Sequence, residues 1–268
     1  MKFLIILLLS VSCASYKNPR AIKEAKLDGL KYESLKRFDA FRLDANLKLK
    51  SEIALCHQHN FEQAFDKFKN KLDKNLNNFT YWNQIGTCYI LKKEYTKAKS
   101  FLDIAMANAK NNKQKSVVFN NLGVIYLENK NSPEAKQAFK QAIEQYPKWL
   151  TPRFNLAQIY LSFGIYQRAQ RELDFLLKKN GQDVDFLNSM AHLKLMQRDF
   201  KSALVLFNKI PVDYRSRDDV ATNLAMTYFM LGRFEEAKTA LNNADKKNSF
   251  YVTAQLEITK KLEKVDGK

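Results

Sequence analysis

Small residues recur along the chain at an almost constant interval. Alanine stands at six positions spaced by 34 residues, except for one interval of 37 with an insertion around 112–115: Ala64, Ala98, Ala135, Ala169, Ala203 and Ala237. Four residues after each alanine the chain carries phenylalanine or leucine, at Phe68, Leu102, Phe139, Leu173, Phe207 and Leu241. A fixed period in this range predicts one supersecondary unit that is repeated along the chain.

A second column of small residues predicts how each unit is built. Gly86, Gly123 and Ala157 lie twelve residues before their alanines, on a preceding segment that also has helical periodicity. Small side chains at facing positions let two antiparallel helices approach closely, and each hairpin buries its remaining apolar face by stacking on the next hairpin. The spacing predicts six repeats and a closing helix, at 45–78, 79–112, 116–149, 150–183, 184–217, 218–251 and 252–268.

These columns resemble the tetratricopeptide repeat. The best matches are Trp82, Ile85, Gly86, Tyr89, Ala98, Leu102 and Ala105, followed by Leu122, Gly123, Tyr126, Ala135, Phe139, Ala142 and Pro147. The resemblance implies an all-α, right-handed superhelical solenoid of helix-turn-helix repeats that acts as a scaffold for protein partners. The first repeat departs from the pattern, because Glu52 and Lys71 replace small or apolar residues.

Residues 1–13 have the layout of an export signal. A positive start is followed by the apolar run 3–9 and by small residues that end at Cys13, and this run is too short to span a membrane. Cys13 after small residues resembles the lipobox of bacterial lipoproteins, in which the cysteine is acylated and becomes the mature N-terminus. The resemblance implies an outer-membrane lipoprotein that faces the periplasm; cleavage without acylation, giving a soluble periplasmic protein, is the alternative.

Residues 14–44 are expected to form a polar tether and then an amphipathic helix. Apolar residues recur at near-helical spacing between 21 and 44, at Leu27, Leu30, Leu35, Phe38 and Phe41. This pattern predicts a helix that docks on the first repeat or lies near the membrane.

The first helix of each repeat is expected to line the concave surface of the solenoid. Amide side chains stand before the small-residue column at Gln84, Asn121, Asn155 and Asn223, and amides can bond to the backbone of an extended peptide. The alternative is that these amides only connect neighbouring parts of the array. Deeper in the groove we expect apolar side chains, some of them core, at Val124, Leu127, Leu161, Leu195, Met196, Met226, Phe229 and Met230.

The chain offers little chemistry for catalysis or for metal binding. Cys56 and His59 could converge on one face of a helix, but no second cluster completes a metal site. The sequence contains no phosphate-binding, nucleophile-elbow or zinc-protease motif, so we expect no enzyme activity and no cofactor. Cys56 and Cys88 fall on the first helices of adjacent repeats, where two buried thiols are favoured over a disulfide.

Charge narrows the class of partner. Lysine and arginine outnumber aspartate and glutamate by 45 to 28, which gives a formal net charge of +17. Export argues against nucleic acid and leaves lipid headgroups, cell-wall polymers or an acidic protein. The basic clamp that chaperone-binding relatives use for an acidic C-terminus is not matched, because its positions hold Asn83, Asn120, Phe154, Asn188 and Thr222.

An exported cysteine followed by six repeats resembles, in architecture and length, the pilotin-type lipoproteins of type IV pilus biogenesis. The resemblance implies a non-enzymatic scaffold that is held to the membrane by N-terminal acyl chains and binds a secretin or another envelope protein. The alternative is a scaffold lipoprotein for cell-wall hydrolases or for outer-membrane protein assembly.

Overall fold

The computed structural model describes residues 52–245 and 249–266, which form thirteen α-helices. The expected signal, Cys13 and the helix predicted within 21–44 lie outside the described residues. In chain order the helices are α1 Glu52–His57, α2 Phe61–Lys69, α3 Phe79–Leu91, α4 Tyr95–Ala107, α5 Asn112–Glu128, α6 Ser132–Gln145, α7 Leu150–Ser162, α8 Tyr166–Lys179, α9 Val184–Met196, α10 Phe200–Asn208, α11 Asp218–Met230, α12 Phe234–Asn242 and α13 Ser249–Asp266.

The helices pair into six hairpins that stack in one direction. Within each pair the odd-numbered helix packs on the even-numbered helix that follows it. Each even-numbered helix then contacts the next odd-numbered helix, and several odd-numbered helices also contact one another directly: α1 with α3, α3 with α5, α7 with α9, and α9 with α11. The first helices of the hairpins therefore form the inner layer of an all-α solenoid, and the predicted fold class is confirmed.

The turn inside each hairpin has the same backbone geometry. One residue per turn, two positions before the second helix, adopts a positive φ between 60° and 73°: His59, Lys93, Lys130, Gly164, Arg198 and Gly232. The amide of the next residue then donates to a carbonyl in the last turn of the first helix, as in Glu94 N to Tyr89 O at 2.9 Å, which is a common way to end a helix. Only two of the six positions carry glycine, the residue that adopts this conformation without strain.

Two glycines allow the closest approach between paired helices. A Cβ atom added at Gly123 would lie 2.5 Å from the ring of Phe139, and one added at Gly86 would lie 2.9 Å from the side chain of Leu102. The small residues of the first helix therefore accommodate the large residue four positions after the repeat alanine, rather than the alanine side chain itself.

The closing helix α13 shields the last hairpin. Its residues Ile258 and Leu262 are buried, and they pack with Ala225, Ala237 and Leu241 of α11 and α12. The predicted capping helix is thereby confirmed, although Tyr251, Ala254 and Val265 of the predicted stripe have side chains outside the described set.

The three-residue insertion lengthens one helix instead of forming a loop. Helix α5 starts at Asn112, four residues before the predicted start of its repeat, and spans 17 residues. The side chain of Asn111 accepts a hydrogen bond from Gln114 N at 3.0 Å, which satisfies one of the free amides at a helix start.

The first and second hairpins are joined covalently. Cys56 on α1 and Cys88 on α3 form a disulfide, and their Cα atoms are 5.2 Å apart. The preference for two thiols is therefore corrected. Stacking of the first helices brings residues 32 positions apart within the separation of about 4.4–6.8 Å that a disulfide needs.

Candidate protein-binding surface

Charge is distributed unevenly between the two layers of the solenoid. Helix α3 carries no charged residue, α7 carries only Arg153, and α11 carries only Asp218 and Asp219. Most of the second helices carry more charge, since α6 contains four charged residues and α8 contains six, and α10 with Lys201 alone is the exception. The inner layer is therefore poor in charge, and most of the basic excess of these repeats lies on the outer helices and on the loops.

Amide side chains connect the inner helices of the second, third and fourth hairpins. Asn121 Nδ2 donates to Asn83 Oδ1 and to Thr87 Oγ1, both at 3.3 Å, and Asn120 Nδ2 donates to Asn121 Oδ1 at 3.3 Å. Asn155 Nδ2 then donates to Asn120 Oδ1 at 2.9 Å. These four asparagines, which we call the amide chain, are all fully buried.

The amide chain changes the interpretation of the amide side chains that stand before the small-residue column. Asn121 and Asn155 were expected to present amides to a bound peptide, but both have no exposed surface and bond to the preceding hairpin. The expectation of open amides at these two positions is corrected, because adjacent inner helices approach closely enough to bond to each other. Gln84 and Asn223 are half-buried, and their contact with a peptide stays a prediction.

Other amides make the same kind of contact farther along the array. Asn223 Nδ2 donates to Asn188 Oδ1 at 3.2 Å, which repeats the geometry of Asn155 and Asn120 one pair later. Between the fourth and fifth hairpins Gln158 Nε2 donates instead to Ser189 Oγ at 2.6 Å. A junction between inner helices is thus polar but uncharged over most of the solenoid.

The predicted apolar groove residues divide by burial. Val124 and Leu195 are buried and belong to the core between hairpins. Four others are half-buried, namely Leu127, Leu161, Met226 and Phe229. Met196 and Met230 have 43% and 45% of their surface exposed. Because they end the inner helices of successive hairpins at equivalent positions, they form an exposed pair, which we call the methionine pair.

One charged cluster lies beside the inner layer of the last two hairpins. Arg217 Nη2 donates to Asp185 Oδ1 at 2.9 Å and to Asp219 Oδ2 at 2.6 Å, while its Nε donates to Asp219 Oδ1 at 3.0 Å. Asn188 Nδ2 also donates to Asp219 Oδ2. Burial alone would lower the pKa of Arg217, but the two carboxylates raise it above its usual range, so the guanidinium stays charged.

Sequence reasoning missed this charged cluster. Asp185 and Asp219 are 34 residues apart and occupy the same position in successive hairpins. Comparing the charges at each repeat position would have placed the two carboxylates side by side. The cation that joins them, Arg217, precedes the helix and carries no signal of its own.

The inner layer also contains a half-buried histidine. Burial lowers the pKa of His192 on α9, because desolvation disfavours the imidazolium form. Thr87 and Val124 occupy the equivalent positions in α3 and α5, so neither of those helices has a titratable side chain at this position.

The described residues provide no obvious centre for other chemistry. Within 52–245 and 249–266 no group of three or more His, Cys, Asp or Glu side chains is arranged to hold a metal ion. Over the same residues no helix is both long and apolar enough to cross a membrane.

Comparison with known families identifies the repeats. Models of the tetratricopeptide repeat match residues 78–148, 126–193 and 219–246. Together these segments include the hairpins α3–α4, α5–α6, α7–α8 and α11–α12. Of the remaining hairpin, α9–α10, the second helix α10 lies outside them. The family of repeats is one that typically serves as a non-enzymatic scaffold for protein or peptide partners.

Known proteins of similar sequence and structure share this architecture. The BBSome complex member BBS4 of Bos taurus is 24% identical over 226 residues, and the match covers 82% of this chain but only 42% of that protein. PilF of Pseudomonas aeruginosa has a TM-score of 0.63 at 16% identity, and the type IV pilus biogenesis factor PilW has a TM-score of 0.60 at 18% identity. Each of these two matches covers 78% of this chain and 94% of the other. By its matched repeats and its solenoid of stacked hairpins, the chain belongs to the tetratricopeptide-repeat proteins.

Proposed function

We propose that this chain is a scaffold of the bacterial cell envelope that binds a charge-poor segment of a partner protein at the C-terminal end of its inner layer. The observation that carries the proposal is the methionine pair, Met196 and Met230, which is exposed at the C-terminal ends of two successive inner helices. Methionine side chains are flexible and polarisable, so they adapt to apolar surfaces of different shapes.

The finer proposal is a pilotin-like role. In it Cys13 is acylated, the array faces the periplasm from the outer membrane, and the partner is a secretin subunit whose assembly it assists. Two observations support it: the export-signal layout of residues 1–13, and a fold that matches nearly the whole length of PilF and of PilW, the latter described as a type IV pilus biogenesis factor. Similarity at 16–18% identity shows a shared fold, and the experiments below test the pilotin-like role.

The binding surface is tested by adding charge to it. Met196→Glu/Met230→Glu places two carboxylates on the exposed edge, at residues with 43% and 45% of their surface exposed. Val205→Glu/Val212→Glu is the matched control, because these valines are 58% and 73% exposed on α10 and on the loop that follows it. We expect crosslinking and pull-down from native membranes to lose the partner with the first variant and to retain it with the second. Retention in both variants would place binding outside the methionine pair.

The identity of the captured protein tests the finer proposal. Mass spectrometry that finds a secretin, together with loss of secretin multimers when the gene is deleted, is the expected result. Normal secretin multimers in the deletion strain would exclude the pilotin-like role. A cell-wall hydrolase or an outer-membrane assembly factor in its place would select the alternative scaffold.

A further inference from the structure

The disulfide between Cys56 and Cys88 has a role that the repeat pattern does not require. We propose that this pair is an oxidation site that completes the array: disulfide formation clasps the first hairpin to the second, and the reduced chain has a frayed N-terminal end. The inference rests on residues 52–91, and it holds whether or not the methionine pair binds an envelope protein.

The first hairpin lacks part of the apolar packing that stabilises the other hairpins. Glu52 and Lys71, which form an ion pair with each other, stand where the other repeats place small or apolar residues. An ion pair with an exposed partner adds little stability in exchange for that packing.

The position of the disulfide compensates for that weakness. Cys56 lies in the last turn of α1, and Cys88 lies in the last turn of α3. The bond therefore joins the inner helices of the first two hairpins. Between later hairpins, hydrogen bonds of asparagine amides join the inner helices instead. A link between residues 32 positions apart restricts the unfolded chain strongly, so it favours the docked hairpin more than a hydrogen bond does.

The bond forms by thiol–disulfide exchange with an oxidant that itself holds a disulfide, such as an oxidised dithiol protein. One cysteine thiolate attacks a sulfur of the oxidant and forms a mixed disulfide while one oxidant thiolate leaves. The second cysteine thiolate then attacks the sulfur of the first cysteine in this mixed disulfide and releases the oxidant as a dithiol. Cys56 and Cys88 together lose two electrons and two protons, and the oxidant gains both.

Burial of the two cysteines requires that their oxidation precede the docking of the first hairpin. Cys56 and Cys88 have no exposed surface in the folded array, so an oxidant as large as a protein reaches the thiols only while α1 is undocked. Once the hairpin is docked, the same burial shields the bond from reducing thiols. The folded chain is thereby suited to an oxidising compartment, where structural disulfides persist.

Thiol counting tests whether the pair forms. The full chain with Cys13→Ser, which leaves Cys56 and Cys88 as its only cysteines, is reduced, denatured and refolded with oxidised glutathione as the oxidant. We expect an intramolecular disulfide: a monomer two hydrogens lighter than the reduced chain, with neither cysteine open to alkylation. Two alkylated thiols, or only glutathione adducts, would overturn the proposal.

Hydrogen exchange tests what the bond does. In the oxidised chain we expect protected amides in residues 52–71, and reduction should raise their exchange by on the order of 100-fold while residues 112–128 do not change. Cys56→Ala/Cys88→Ala is the control for the reductant: it should exchange like the reduced chain and show no response to reduction. Equal protection of residues 52–71 in oxidised and reduced chains would show that the bond does not hold the hairpin.

Discussion

The last junction of the inner layer adds ionised groups to the kind of neutral amide contact that the N-terminal half uses. In the N-terminal half the amide chain connects the inner helices through neutral side chains that are fully buried. In the C-terminal half Arg217 joins Asp185 and Asp219. The side chains of these three residues keep 9% to 19% of their surface exposed. Charged groups retain water because their desolvation is costly, whereas amides that bond to one another can be enclosed.

This difference indicates which end is open to a partner. Where amides close the junctions, the groove positions are filled by the array itself, as Asn121, Asn155 and Val124 are. Toward the charged end the inner helices finish in exposed methionines and half-buried residues such as Phe229 and Met226. The methionine pair is therefore the exposed apolar edge of the C-terminal half, and we propose that half as the binding half.

The largest expected effect is loss of the cation in the C-terminal half. Arg217→Ala leaves Asp185 and Asp219 facing each other in a largely buried site, and we expect it to reduce the free energy of unfolding by about 3 kcal/mol. Arg217→Lys keeps the charge without the two-pronged geometry and should recover only part of the loss. Urea denaturation measures both, and a loss below about 1 kcal/mol for the alanine variant would contradict a structural role.

A smaller loss is expected in the N-terminal half. Asn155→Ala removes the bond to Asn120 and leaves a small polar void, which should cost about 2 kcal/mol. Because no ionised group is involved, high salt should reduce this contribution less than it reduces that of Arg217. Gln137→Ala, an exposed amide on α6, is the control and should stay within about 0.5 kcal/mol. Equal losses of unfolding free energy for Asn155→Ala and Gln137→Ala would show that the buried amide has no special role.

The hairpin turns should respond equally in both halves. Lys93→Gly in the second hairpin and Arg198→Gly in the fifth relieve a left-handed backbone at φ 65° and 62°, so each is expected to raise the melting temperature through about 1 kcal/mol of added stability. Gly164→Ala, at φ 67°, should lower it by a similar amount. A clear difference between the two glycine variants would mean that the halves differ in backbone strain as well as in side-chain contacts.

The smallest effect is the pH dependence that His192 of the C-terminal half contributes. Burial lowers the pKa of His192, so the unfolded chain binds a proton that the folded chain resists. Stability is then unaffected above the ordinary pKa of about 6.5 and falls as the pH drops below it, by less than about 1 kcal/mol at about pH 6. His192→Gln should remove that component from a plot of unfolding free energy against pH. An unchanged slope in the variant would show that His192 does not contribute.

The hairpin itself could be predicted from the sequence, because its determinants are local. The alanine column, Gly86 and Gly123 describe how two helices of one hairpin touch, and the structure places both glycines against the large residue of the paired helix. The inserted residues also followed a local rule, since Asn111 caps a lengthened helix. The candidate site was harder to predict, because the same asparagine column is compatible with a peptide-binding surface and with contacts between hairpins.

The sequence by itself determined the helical class, the number of hairpins and the residues that let paired helices approach, since each depends on side chains a few turns apart. Only the tertiary structure decided that Cys56 meets Cys88, that Asn121 and Asn155 are enclosed, and that Arg217 joins two aspartates from successive hairpins. These contacts depend on the distance and rotation between successive hairpins. That geometry arises from the packing of the whole array, and a change of a few ångströms decides whether an inner side chain faces a neighbour or an open groove.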